Sequence, residues 1–237
     1  ITEVGDMLGF PKSMIVNNVV RYVKNMVPAY SLPKAYTWRE AMDLGQETAI
    51  IPERCSPEDI AFMQYTGGTT GVSKGAMLTH RNIVANMLQI AEWMKPLLKE
   101  GEETAVLALP LYHIFSLTVN ALAMMHYGAS NLMITNPRDI AGFIKTLRKN
   151  RFTVVTGLNT LFNALMNHDD FTKIDFSNLK ASVAGGMALQ RPVAERWMKL
   201  TKSVLVEGYG LTETSPVASC NPIDGTDKIG TIGLPLP

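Results

Sequence analysis

The sequence predicts an α/β fold: a largely parallel sheet with helices on both faces. From about residue 104 onward, β-rich runs at 105–109, 131–135, 152–156, 179–184 and 203–206 alternate with helical runs near 115–127, 140–147, 158–167 and 190–201. Such alternation implies parallel strands joined by helices that pack back on the sheet. The chain is 237 residues long and 46% hydrophobic, enough to bury a substantial core. Glycine-rich segments follow directly on several of the strand runs, where parallel sheets bind their ligands.

In chain order, Ile15, Val16, Val19, Val20, Val23, Met26 and Val27 recur at helical spacing with Arg21 and Lys24 opposite, predicting an amphipathic helix that ends before Pro28. Its basic side reads as a solvated face, with contact to a lipid surface as the alternative. Residues 28–57 carry Pro28, Pro33, Pro52 and Pro57 among few periodic apolar positions, and read as a surface connection with at most short elements. The expected division is therefore 1–57, a helix and connection, and 58–237, the α/β region. Residues 60–65 read as a strand, and Thr79 as the cap of a helix burying Ile83, Val84, Met87, Ile90, Ala91 and Met94. Asn136 and Pro137 read as N-cap and first turn of the helix lined by Ile140, Phe143, Ile144 and Leu147.

Composition excludes several classes. With 22 Lys plus Arg against 21 Asp plus Glu, the net charge of +1 offers no field for steering onto nucleic acid. Every apolar stretch breaks well short of the ~18 residues a membrane span requires. Cys55 and Cys220 stand far apart, no signal sequence opens the chain, and a cytoplasmic protein is expected. His80, His126 and His168 lack metal-ligand spacing and read as structural. Ile1 is not a methionine and the chain stops at Leu234-Pro235-Leu236-Pro237, so it reads as an excised piece of a longer protein.

Residues 65–75, Tyr-Thr-Gly-Gly-Thr-Thr-Gly-Val-Ser-Lys-Gly, concentrate four glycines, three threonines, a serine and a lysine in eleven positions. Glycines let main-chain N–H groups approach an anion, hydroxyls add donors and the lysine adds a charge, so a polyphosphate is the natural guest. The bland alternative is a plain hairpin tip. A Walker A loop is disfavoured, because Val72 stands where its second glycine belongs and Lys74 is followed by Gly75 rather than a hydroxyl.

The 65–75 run resembles the phosphate loop of the adenylate-forming enzymes, and three further segments are similar to that family's motifs in order. They are Pro110-Leu111-Tyr112-His113-Ile114-Phe115, Ala184-Gly185-Gly186-Met187-Ala188-Leu189, and Gly208-Tyr209-Gly210-Leu211-Thr212-Glu213. Runs such as Thr79-His80-Arg81-Asn82 look most like the bacterial long-chain fatty-acyl-CoA ligases. The resemblance implies part of the large N-terminal domain of an acyl-CoA synthetase-like fold, with ATP, Mg2+ and CoA as cofactor and co-substrates and a long-chain fatty acid as partner. Oligomeric state is left open, and peripheral contact with the inner membrane is allowed.

By that resemblance Thr66, Gly67, Gly68, Thr69, Thr70, Gly71 and Lys74 hold the departing phosphates, with Thr69, Thr70 and Lys74 foremost. Glu213 is the magnesium ligand beside Thr212, while Tyr209, between Gly208 and Gly210, and the Gly185-Gly186 turn enclose the adenine. His113 borders the acyl entrance. Leu158, Leu161, Phe162, Leu165, Met187, Met124 and Met125 are candidates for an acyl tunnel, each also readable as core. The family's ribose-binding aspartate and catalytic lysine are expected outside these residues. The alternatives are an adenylate-forming enzyme for another acid and a non-catalytic nucleotide or acyl binder.

Overall fold

The computed structural model describes residues 1–66 and 73–237, which form two compact units, Ile1–Arg54 and Cys55–Pro237. In the first unit, α1 (Lys12–Asn18) runs into a π-type stretch, Val19–Val23, and neither buries a residue fully. The helix therefore stops short of the turn before Pro28. The connection beyond it holds a ten-residue helix, α2 (Trp38–Glu47), where only short elements were expected. Its start is fixed by a capping box: the Glu40 N–H donates to Thr37 Oγ1 at 3.3 Å, and the Thr37 N–H donates to Glu40 Oε2 at 2.8 Å.

The second unit opens with β1 (Ile60–Thr66) and β2 (Lys74–Thr79), an antiparallel pair standing apart from the main sheet. β2 was not foreseen; it begins inside the glycine run and alternates weakly. α3 (His80–Met94) follows without a break, capped as expected by Thr79, whose Oγ1 accepts the Asn82 N–H at 3.2 Å.

The main sheet has the order β4-β3-β5-β6-β7-β8-β9. Its strands are β3 (Thr104–Leu107), β4 (Ser130–Met133), β5 (Val154–Gly157), β6 (Ala181–Ala184), β7 (Leu205–Gly210), β8 (Val217–Cys220) and β9 (Leu234–Pro235). The first five in that spatial order run parallel, and β8 and β9 add an antiparallel edge that the sequence did not announce. Because β8 pairs with it, β7 extends through Gly208, Tyr209 and Gly210, so that motif lies on the strand itself rather than after it.

Neighbouring strand residues serve opposite faces. Val106, Val155 and Leu205 join the core under α5 (Ile140–Leu147), α6 (Asn159–Met166) and α7 (Arg191–Thr201), where Trp197 meets Phe162 edge-on at 4.8 Å. Ala105, Val154 and Ala181 instead pack beneath α3 and α4 (Ala123–His126). Helices thus cover both faces, which explains why every residue of β5 and β6 is buried. The cap of α5 differs from the expectation. Asp139, not Asn136, accepts the Gly142 N–H at 2.9 Å, and Asn136 forms the preceding turn with Arg138. A carboxylate one residue before Ile140 reaches the first free N–H groups, whereas Asn136 lies too far upstream.

Candidate nucleotide site

The strand order reverses around β3, from which the chain goes to β4 on one side and then returns to β5, β6 and β7 on the other. A crevice belongs at the carboxyl ends of strands at such a switch. The segment after β3 reaches from that switch across to the carboxyl ends of β6 and β7, where the structure forms a cleft of about 470 Å³, lined by Thr66, His113, Phe115, Gly185, Gly186 and the whole 208–213 run, among others. Segments as far apart in sequence as Thr66 and Leu236 thus meet at one place.

Each contributor is held by a different element. Thr66 ends β1, and its Oγ1 donates to the carbonyl of Lys74 across the hairpin at 3.3 Å. Lys74 opens β2 with its side chain exposed, outside the cleft lining. Gly67, Gly68, Thr69, Thr70 and Gly71 lie outside the described residues. One flank of that loop, Thr66, lines the cleft, and β2 on the other flank packs beside the short 3-10 turn Thr212–Thr214 that carries Glu213.

Gly185 continues β6, its N–H bonded to the carbonyl of Gly157 at 3.1 Å. Gly186 then turns with φ +75°, and a Cβ there would stand 3.0 Å from Leu158 Cδ2, so a side chain would be both strained and crowded. At Gly210 a Cβ would lie 2.1 Å from the Pro216 carbonyl oxygen, so only glycine lets the strand approach the returning 211–217 turn. Tyr209, at the cleft, is 43% exposed. His113 is exposed at the rim and its Nδ1 accepts the Phe115 N–H at 3.2 Å, which puts the proton of the neutral ring on Nε2.

Glu213 is exposed into the cleft, and among the described residues it has no ion-pair or hydrogen-bond partner. No group of three or more His, Cys, Asp or Glu side chains able to hold a metal occurs among the described residues. A lone carboxylate beside the hydroxyl of Thr212 suits magnesium, which commonly takes one or two carboxylates and fills its other positions with water and phosphate oxygens.

The rest of the lining is apolar: Ile90, Trp93 and Met94 from α3, Val119, and Val217 and Cys220 from β8. Burial pushes the Cys220 thiol up to about 12, making it neutral wall. Ile90 and Met94 were legible as the buried side of the Thr79-capped helix; the β8 residues gave no signal. The tunnel candidates are elsewhere. Phe162, Leu165 and Met124 are closed into the two cores, Met125 and Met187 face outward, and Leu158 and Leu161 lie outside this lining. Two supporting residues escaped the sequence reading. The Leu189 N–H donates to Glu207 Oε2 at 3.3 Å, steadying the 185–189 turn, and buried Asn221 donates to the Thr231 carbonyl at 2.6 Å. An acid closing a buried strand was the available sign for Glu207.

Glycine turns, the Glu213 carboxylate and Thr66 converging at the strand ends are the arrangement of a nucleotide-binding α/β protein. The sequence comparisons make this specific, because residues 11–237 match the family model described as AMP-binding enzyme, and the chain belongs to that family. Over its full length it is 54% identical to a long-chain-fatty-acid–CoA ligase of Escherichia coli O6:H1 and 52% identical to one of Haemophilus influenzae, spanning 42% of each. Among solved structures, ATP-bound MatB from Rhodopseudomonas palustris superposes with a TM-score of 0.69 at 26% identity, over 84% of this chain and 38% of that one. A long-chain-fatty-acid-CoA ligase from Archaeoglobus fulgidus gives 0.63 at 28% identity, over 76% and 37%.

Proposed function

We propose that this chain is the central ATP- and acyl-binding region of a long-chain fatty-acid–CoA ligase. In that reaction a fatty carboxylate attacks the α-phosphorus of ATP, giving an acyl adenylate and pyrophosphate, and the acyl group then passes to the sulfur of CoA. The observation that carries the reading is the convergence of Thr66, His113, Gly185-Gly186 and Gly208–Glu213 on one cleft whose far wall is apolar.

Adenylation asks for positioning and charge neutralisation more than covalent participation. Tyr209 offers a flat face to the adenine, and Gly186 leaves room for it because no Cβ intervenes. Thr66, with Gly67, Gly68, Thr69, Thr70, Gly71 and Lys74, holds the β and γ phosphates. Glu213 and Thr212 hold magnesium, which when bound offsets the phosphate charge. His113, its ring fixed by the Phe115 N–H, presents Nε2–H at the rim and orients the substrate carboxylate. The apolar wall from Ile90 to Val119 receives the start of the acyl chain. In this reading 58–237 is the catalytic region and 1–57 an accessory segment. A cytoplasmic location goes with the assignment, with peripheral contact at the inner membrane where long acyl chains partition. No helix among the described residues is long and apolar enough to cross a membrane.

The test is acid-dependent exchange of pyrophosphate into ATP by the full-length protein. Exchange with lauric to stearic acids is expected. Exchange only with aryl, amino or short dicarboxylic acids would replace the substrate, and none with any acid would leave a nucleotide-binding module.

A further inference from the structure

We propose that Asn86 is a positioning residue that fixes the 211–217 turn, and Glu213 with it, against the β1–β2 hairpin. This deepens the nucleotide reading above and rests on it. Asn86 lies in α3 and is 4% exposed. Its side-chain amide bonds both polar groups of one residue 131 positions away: Nδ2 donates to the Val217 carbonyl at 2.7 Å, and Oδ1 accepts the Val217 N–H at 3.0 Å. Two antiparallel hydrogen bonds from one planar amide fix direction as well as distance, as a neighbouring strand residue does.

The positions at the two ends of this clamp give it consequence. α3 begins at the residue after β2, so the hairpin and helix form one continuous piece. Val217 pairs in register with Gly210, and the residues between them form the turn bearing Thr212 and Glu213. The same face of α3 makes two further ties. Gln89 donates to the Pro237 carbonyl at 2.7 Å, and Trp93 Nε1 donates to the Asn221 carbonyl at 3.3 Å. Spacings of three and seven residues align Asn86, Gln89 and Trp93 along one helical stripe. Gln89 Oε1 also accepts from Asn86 Nδ2 at 3.0 Å, so the clamp's amide orientation is itself set. Burying an amide is costly and an apolar residue would seat the helix equally well, so the gain lies in directional bonds. Those bonds make the hairpin and the Glu213 turn one unit, so a nucleotide spanning them meets a preset separation.

The experiment uses the full-length protein with Asn86→Leu, which keeps volume and removes both bonds, and Glu92→Gln, on the same helix but outside the clamp, as a control. Two readouts are taken below the variants' melting temperatures: KM for MgATP in pyrophosphate exchange, and MgATP-dependent hydrogen-exchange protection at 74–79 and 211–217. We expect Asn86→Leu to raise that KM roughly tenfold and to lose protection at 211–217 while keeping it at 74–79. Glu92→Gln should stay within about twofold, since its pair with Lys95 is exposed. A lower melting temperature with unchanged KM and intact protection at both segments would make Asn86 merely structural and overturn the proposal. An unaltered protein that shows protection but no exchange would defeat the ligase reading alone, the clamp then being judged by protection. No nucleotide-dependent protection at either segment would overturn the nucleotide site and this inference together.

Discussion

The two ends of the parallel sheet are built on opposite principles. At the amino end, Glu103 is 2% exposed and stands just before β3. It pairs with Lys180, just before β6, at 2.5 Å and accepts the Lys99 N–H at 2.7 Å. Thr153, before β5, accepts the Thr104 N–H through its hydroxyl at 3.0 Å and the Lys180 N–H through its carbonyl at 2.8 Å. This end is closed by side chains that bond one another. At the carboxyl end the chain offers glycine backbone, a Glu213 with no partner among the described residues, an exposed Tyr209 and a rim histidine. One end spends its polar groups on the fold, and the other keeps them available for a ligand.

That contrast is most sharply tested by removing one carboxylate from each end. Glu213→Ala in the full-length protein should cut pyrophosphate exchange by about a hundredfold to a thousandfold, with the melting temperature unchanged. Exchange at the original rate would remove Glu213 from the chemistry. Glu103→Ala should do the reverse. Losing one partner of a buried pair costs about 3 kcal/mol of stability, measured by denaturant titration, while kcat of the folded protein stays the same. A Glu103 variant that loses activity at full stability would erase the distinction between the ends.

The Glu103 carboxyl also carries a pH signature. Burial pushes it up, but the Lys180 ammonium, the Thr153 hydroxyl and the Lys99 N–H together outweigh this and hold it below the ordinary value of 4.5. A depressed folded-state pKa contributes stability that is present above the ordinary carboxylate value and is lost as pH falls through the folded one. Glu103→Gln should therefore flatten the acid limb of the stability profile below pH 4.5; an unchanged limb would show that the pair does not form in solution.

Smaller effects refine the carboxyl end. Gly186→Ala places a side chain at φ +75° against Leu158. It should cost about 1–2 kcal/mol in backbone strain and weaken ATP roughly tenfold, read by calorimetry on the full-length protein. Tyr209→Phe keeps the ring and should change ATP affinity less than about twofold, whereas a larger loss would assign the hydroxyl a role.

The same contrast explains what the sequence made legible. The carboxyl-end residues come in contiguous motifs such as 208–213, because a strand end and its turn present neighbouring residues to one ligand. The central parallel strands were visible because burial on both faces leaves them largely apolar. Amino-end pairs such as Glu103–Lys180 join residues 77 apart, and neither carries a local pattern. β2 and β8 were missed because neither carries a clear apolar alternation and each pairs with its neighbour across a register shift. α2 could have been found: Thr37 and Glu40 stand at capping-box spacing, but the surrounding prolines drew the reading toward loop. Asn86 looked like any polar residue on a helix, and only its partner 131 positions away gives it meaning.

The central claim is that the cleft at the carboxyl ends of β6 and β7 holds a nucleotide between the Gly185-Gly186 turn and Tyr209, with its phosphates toward Thr66 and Glu213. A crystal structure of the full-length protein with a non-hydrolysable long-chain acyl-adenylate analogue tests it directly. The account predicts the adenine ring against Tyr209 and Gly186 and the phosphoryl oxygens within hydrogen-bonding reach of Thr212. An analogue bound away from those residues, with the cleft left to solvent, would contradict it.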